Sequence, residues 1–224
     1  MIPLRDDNPT RTRPVVTYAL IGTCLAAFLW QLALGPSNAE AAIYALGFIP
    51  AVVFGVDSLP PELVWLPAPL TVVTSMFLHG GILHLAGNLL YLWIFGDNIE
   101  DRMGRGRFIV FYVICGVAAA LAQALPDVGS RVPMIGASGA ISGVLGAYIM
   151  LYPHARVLVA VPIFVVLYTM RLPALFVLGL WFVGQLLSSA AAGSAGGGIA
   201  FRAHIGGFVA GIALVHLFAH RPRR

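Results

Sequence analysis

The sequence predicts an all-α polytopic membrane protein of six transmembrane helices, and three observations carry that prediction. Hydrophobic residues make up 59% of the 224 residues and charged ones only 10%, against about 25% charged in ordinary soluble domains. With a mean hydropathy of +0.90, too few charges remain to cover a water-facing surface. That excludes an ordinary cytosolic enzyme, a disordered chain and a nucleic-acid-binding module. Apolar runs of membrane length recur along the whole chain. The 13 basic residues, all of them arginine, fall unevenly between the two sets of loops those runs define.

Each element follows from these facts. A helix crossing ~30 Å of hydrocarbon needs about 20 residues. Residues 1–14 are polar, include Asp6 and Asp7, and read as a short cytoplasmic tail. The uncharged run 15–34 is the first span. A long connection follows, with Glu40, Asp57, Glu62 and several prolines; Trp65 and its apolar stretches put part of it at the membrane surface. The second span runs from about 81 to 95 and stops before Asp97. The third covers 108–125, between Arg107 and Pro126, and the fourth about 135–152, ending at Pro153. The fifth covers about 173–192. A loop containing GSAGGG leads to the sixth, about 203–219. The membrane domain is thus 15–220, and 221–224 form a basic cytoplasmic tail. Cys24 and Cys115 lie inside apolar runs and read as packing thiols, not a disulfide framework.

Residues 157–170 are ambiguous: apolar, flanked by Arg156 and Arg171, interrupted by Pro162 and short for a span. Charge decides between six spans and seven. With six spans and an internal N-terminus, eleven arginines lie inside and only Arg131 and Arg202 outside, a clear positive-inside bias. A seventh span would move Arg171 and the terminal arginines outward. The segment is therefore expected at the inner side, interfacial or partly re-entrant, with both termini cytoplasmic.

Ionisable or polar side chains inside spans are functional candidates. In the six-span arrangement, spans 2, 4 and 6 all run from outside to inside. His84 and Asn88 then sit near the outer end of span 2, Ser138 near that of span 4, and His204 at the start of span 6. Any one of these has a bland explanation: a serine back-bonded to its own helix, an interfacial histidine, an asparagine joining helices. Four at one depth, on three helices, point to a site. Gly139 and Gly143 form a small-residue stripe on span 4, and Gly207 and Gly211 form one on span 6, so the two backbones can approach closely. That contact would bring Ser138 to His204.

The chemistry follows from the side chains. A serine hydroxyl is a weak nucleophile until a neighbouring base takes its proton, and neutral histidine can do so near pH 7. A tetrahedral intermediate needs donors around its oxyanion. His84 and Asn88, four apart on one helix face, and the Ser138 backbone N–H, near a helix start, can supply them. The outer halves of spans 2, 4, 5 and 6 hold no Asp or Glu, so a dyad is expected rather than a triad.

The segments HGGILHLAGNLLYLWIFGDNIEDRMGRGRF, GASGAISGVLGAY and AHIGGFVAG resemble the rhomboid family of intramembrane serine proteases, in the family's order and over about residues 70–220. The resemblance implies a six-helix rhomboid-like bundle with Ser138 as nucleophile and His204 as general base. It maps His84 and Asn88 to the oxyanion side and gives His79 a structural or hydrogen-bonding part. It assigns the 97–107 loop, with Glu100 and Arg102, a structural part. It also implies single-pass transmembrane proteins as substrates, cut near the outer end of their membrane helix, with span 5, carrying Trp181 and Phe182, as the element that admits them. The lipid bilayer is the other expected partner; no metal, cofactor or nucleic acid is expected. The expected location is the bacterial plasma (inner) membrane. One position departs: some relatives carry Tyr four residues after the nucleophile, packed on the histidine, where this chain has Ser142. Phe201 or another aromatic would have to supply that support.

Two rival functions belong to other classes. A non-proteolytic relative that binds membrane helices would lack the Ser or the His, and both are present. A small transporter would explain histidines along a polar path but not a serine set among glycines. A zinc protease would need His-Glu-x-x-His, and an aspartyl protease two Asp within spans; neither pattern occurs.

Overall fold

The computed structural model describes residues 1–163, 166–192 and 200–219. The GSAGGG loop and the basic tail 221–224 lie outside the described residues. Nine α-helices and three strands are described, in the order β1 (Ile2–Asp6), α1 (Val15–Ala33), α2 (Pro36–Leu46), α3 (Pro50–Val53), α4 (Thr71–Thr74), α5 (Ile82–Met103), α6 (Arg105–Ala124), α7 (Ser138–Leu151), β2 (Arg156–Ile163), β3 (Val166–Pro173), α8 (Ala174–Ala192) and α9 (Phe201–Phe218). The six runs read from the sequence as spans are α1, α5, α6, α7, α8 and α9.

Four of these six, α1, α6, α8 and α9, are each long and apolar enough to cross a membrane. Helix α5 reaches that standard together with the turns 68–77 before it, from which it bends by 82°. Helix α7 is different. It has 14 residues, about 21 Å at the usual helical rise, and starts at Ser138 rather than near 135. Every residue from Gly139 to Tyr148 is buried. It packs against α5, α6, α8 and α9, so it is enclosed by protein and has no need to match the ~30 Å of the hydrocarbon core.

The long connection between α1 and α5 folds onto the bundle. Phe48 is fully buried and pairs as a bridge with Met134, just before α7. Thr74 Oγ1 donates to the Leu46 carbonyl at 2.6 Å, and the Gly136 N–H donates to the Ser75 carbonyl at 2.9 Å. These contacts tie the connection to the loop that precedes Ser138.

The end of the bundle opposite Ser138 holds a three-stranded sheet that the sequence reading did not anticipate. Strands β2 and β3 form an antiparallel hairpin, and β1 pairs antiparallel with β2, Ile2 opposite Ala160 and Asp6 opposite Val157. Where the sequence reading expected an interfacial or partly re-entrant piece, the described residues of 157–170 pair as two antiparallel strands, and residues 2–6 of the N-terminal segment add a third. The run of β-branched residues favours the pleated form. Val157 and Val159, one residue apart on one face, are fully buried, and the partly exposed Leu158 lies between them. The C-terminal end of α5 fastens the start of α1 to this same end. The buried Glu100 carboxylate accepts the N–H groups of Val16 (3.0 Å) and Thr17 (2.8 Å) and the Thr17 hydroxyl (2.9 Å). These are free donors at a helix start, where negative charge is favoured.

Candidate active site

Ser138 is the first residue of α7, and the loop leading to it is shaped by Gly136. That residue has φ +122°, a backbone conformation that L side chains rarely adopt. A Cβ there would also stand 2.8 Å from the His84 ring, so the absence of a side chain lets the first turn of α5 close on the start of α7. Asn88 follows one turn later on α5 and is buried. Its Nδ2 donates to no acceptor among the described residues, which is unusual for a buried amide.

Helix α9 brings His204 to α7. The seryl Oγ lies 2.8 Å from His204 Nε2, and both residues are half-buried. The approach depends on glycine. A Cβ on Gly207 would run into the Gly139 carbonyl, and one on Gly211 into the Gly143 carbonyl. The glycines of the two helices do not meet Cβ face to Cβ face. The Cβ positions of Gly139 and Gly143 point at Ala119 and Cys115 of α6, while their carbonyls form the seat for α9.

The far side of the imidazole is occupied as well. Gln185 of α8 places Oε1 2.7 Å from His204 Nδ1. Trp181, one turn earlier on α8, holds its ring centroid 6.0 Å from that of His204, with the planes tilted by 37°. Ser142 donates its hydroxyl back to the Ser138 carbonyl at 2.6 Å and offers the ring nothing. Among the alternatives left by the sequence, Phe201 or another aromatic, the aromatic neighbour of His204 is Trp181.

His79 is buried in the turn before α5. Its N–H donates to Gln31 Oε1 at 3.1 Å, the Gln31 amide returns a bond to its carbonyl at 3.3 Å, and its Nδ1 lies 3.2 Å from the Phe77 carbonyl. Its ring meets that of His84 edge-on with centroids 5.2 Å apart. The geometry therefore gathers Ser138 and His204 in direct contact, with His84 and Asn88 beside the approach to Ser138. Sequence reasoning missed Gln185 and Gln31. Their signal was an uncharged amide inside an apolar run, where an amide needs a partner as a charge does.

A polytopic helical bundle with a serine–histidine pair at the start of a buried helix defines a membrane protein with the parts of a hydrolase. The comparisons with known proteins name the family. The chain belongs to the rhomboid family: the rhomboid domain model matches residues 67–221. It is 30% identical over 190 residues to the mitochondrial rhomboid protein 1 of Saccharomyces cerevisiae, covering 76% of this chain and 51% of the relative. It is 36% identical over 138 residues to the rhomboid protease GluP of Bacillus subtilis, covering 60% of this chain and 24% of GluP. It is 39% identical over 75 residues to the RHOMBOID-like protein 5 of Arabidopsis thaliana, 34% of this chain and 24% of the relative. The chain spans about half the length of the yeast relative and about a quarter of the other two. Its membership and its apolar helices make it a multi-pass integral membrane protein.

Proposed function

We propose that this protein is an intramembrane serine endopeptidase that cleaves single-pass membrane proteins near the outer end of their transmembrane helix. The observation that carries the reading is the 2.8 Å contact between Ser138 Oγ and His204 Nε2 on a half-buried surface. In acylation the seryl oxygen attacks the scissile carbonyl carbon while its proton passes to Nε2. The carbonyl oxygen becomes an oxyanion, held by the Asn88 amide, the His84 ring N–H and the Ser138 backbone N–H. As the C–N bond breaks, the imidazolium gives its proton to the departing amine. Water then attacks the acyl carbon, His204 takes its proton, and the ester bond breaks to restore the seryl hydroxyl.

The Asn88 amide supports the oxyanion part, because its Nδ2 donates to no acceptor among the described residues and so is available to an oxyanion. We further propose that both termini are cytoplasmic, on the arginine bias of eleven against two. The direct test is labelling with a fluorophosphonate, which reacts only with an activated serine. Wild type should label; Ser138→Ala and His204→Ala should not, although both fold. In a cleavage assay the double variant should be no worse than either single one, because a dyad acts as a unit. Proteolysis by purified Ser138→Ala would remove that residue as the nucleophile.

A further inference from the structure

Helix α8 carries a polar side chain for which the two-residue mechanism has no use. Gln185 is half-buried, and its Oε1 meets His204 Nδ1 at 2.7 Å while Ser138 Oγ meets Nε2 at 2.8 Å. A neutral imidazole carries one N–H, and the bond made by one nitrogen decides the state of the other. An amide oxygen only accepts. The proton must therefore reside on Nδ1, and Nε2 keeps the lone pair that the seryl proton needs. Trp181 lies one turn earlier on the same face of α8 and flanks the ring.

We propose that Gln185 is a positioning residue: it holds His204 in the Nδ1–H tautomer and aims Nε2 at Ser138. The inference rests on the dyad reading above and extends it to a third helix. Gln185 takes the place that a carboxylate has in a triad, but without the charge. It orients the ring and stabilises the imidazolium only through its dipole. The loss on removing it is accordingly about 10- to 100-fold, below the ~10⁴ that follows loss of a triad aspartate. The competing explanation is that a span glutamine merely joins two helices, α8 and α9.

Three measurements on the full chain in detergent micelles separate the two. The first is the rate of fluorophosphonate labelling of wild type, Gln185→Leu and Gln185→Glu. The second is the melting temperature of each. The third is the ¹⁵N spectrum of the histidine ring nitrogens, with the His204 signals assigned by their loss in His204→Ala. Gln185→Leu is expected to label about 10- to 100-fold more slowly at an unchanged melting temperature, and its His204 signals should leave the Nδ1–H pattern of wild type. Gln185→Glu keeps an accepting oxygen and should label within a few-fold of wild type. Labelling of Gln185→Leu at the wild-type rate, or a loss matched by lost folded protein with an unchanged tautomer, overturns the proposal. Wild type that shows the Nδ1–H pattern yet never labels overturns the dyad itself, and the positioning role with it.

Discussion

At the scale of single residues, the proposed site divides into groups assigned the chemistry and groups that hold them. Asn88 gives the sharpest prediction of the first kind. Its amide is buried and its Nδ2 donates to nothing among the described residues. Removing it therefore breaks no Nδ2 hydrogen bond to the described residues, whereas an oxyanion donor is worth about 10²–10³ in kcat. Asn88→Ala is expected to lose activity on that order while its melting temperature stays close to wild type. Activity falling only in step with the folded fraction would leave the residue a packing role. Ser138, His204, His84 and Asn88 were legible as candidates because a serine among glycines, two histidines inside apolar runs and an asparagine four residues after one of them fall at one depth. Gln185 was not, since no histidine stands one helical turn from it to mark it, as His84 marks Asn88. Its meaning depends on α8 lying beside α9, a contact that no local pattern encodes.

At the scale of elements, the packing of α9 on α7 sets the distance between Ser138 and His204, and glycines set the packing. The sequence showed small-residue stripes on both helices, but not their rotation. Only the packed structure shows Gly207 and Gly211 seated on the carbonyls of Gly139 and Gly143. Neither site has room for a side chain. A methyl at Gly207 strikes the Gly139 backbone; a methyl at Gly143 strikes Cys115 Cβ, which is fixed to its own backbone, and lies 3.2 Å from the Gly207 carbonyl. Overpacking typically costs about 1–3 kcal/mol, and a displacement of ~1 Å at a reacting pair can cost around 100-fold in rate. Gly207→Val should therefore abolish most activity, and Gly207→Ala and Gly143→Ala should both already be impaired. A methyl on Gly22 of α1 would meet nothing within 4 Å, so Gly22→Ala should be neutral or slightly stabilising, as alanine is in a helix. Cleavage rate and melting temperature for the four variants check the order. A fully active, fully stable Gly207→Val would refute this contact as the element that sets the dyad.

At the scale of the whole molecule, the end opposite the site is closed by pieces far apart in sequence. The sequence reading placed the helices but not this closure. IPLRD is too short to declare itself a strand, and its partner lies more than 150 residues away. The hairpin likewise hid in an apolar run whose period does not separate strand from buried helix. The closure contains a pH-sensitive contact. Asp6 of β1 accepts a hydrogen bond from the Tyr148 hydroxyl of α7, and another from Asn98 Nδ2 of α5 at 3.2 Å. Burial pushes its carboxyl from the ordinary 3.8 up to about 6; the Tyr148 bond works against this rise, and repulsion from Asp97 and Asp7 adds to it. A raised carboxyl pKa means that the docked strand holds a proton which the detached strand has released. Docking is thus strongest below about pH 4, weakens as pH rises from about 4 to about 6, and is constant above that. The Asp7–Arg171 ion pair at 3.3 Å is exposed and contributes little. Amide hydrogen exchange of residues 2–6, corrected for the intrinsic rate, should show greater protection at pH 5 than at pH 7. Asp6→Asn, which keeps an acceptor for Tyr148 but cannot ionise, should flatten that difference. Protection that rises with pH in wild type, or an unchanged slope in Asp6→Asn, would assign the pH dependence to another group.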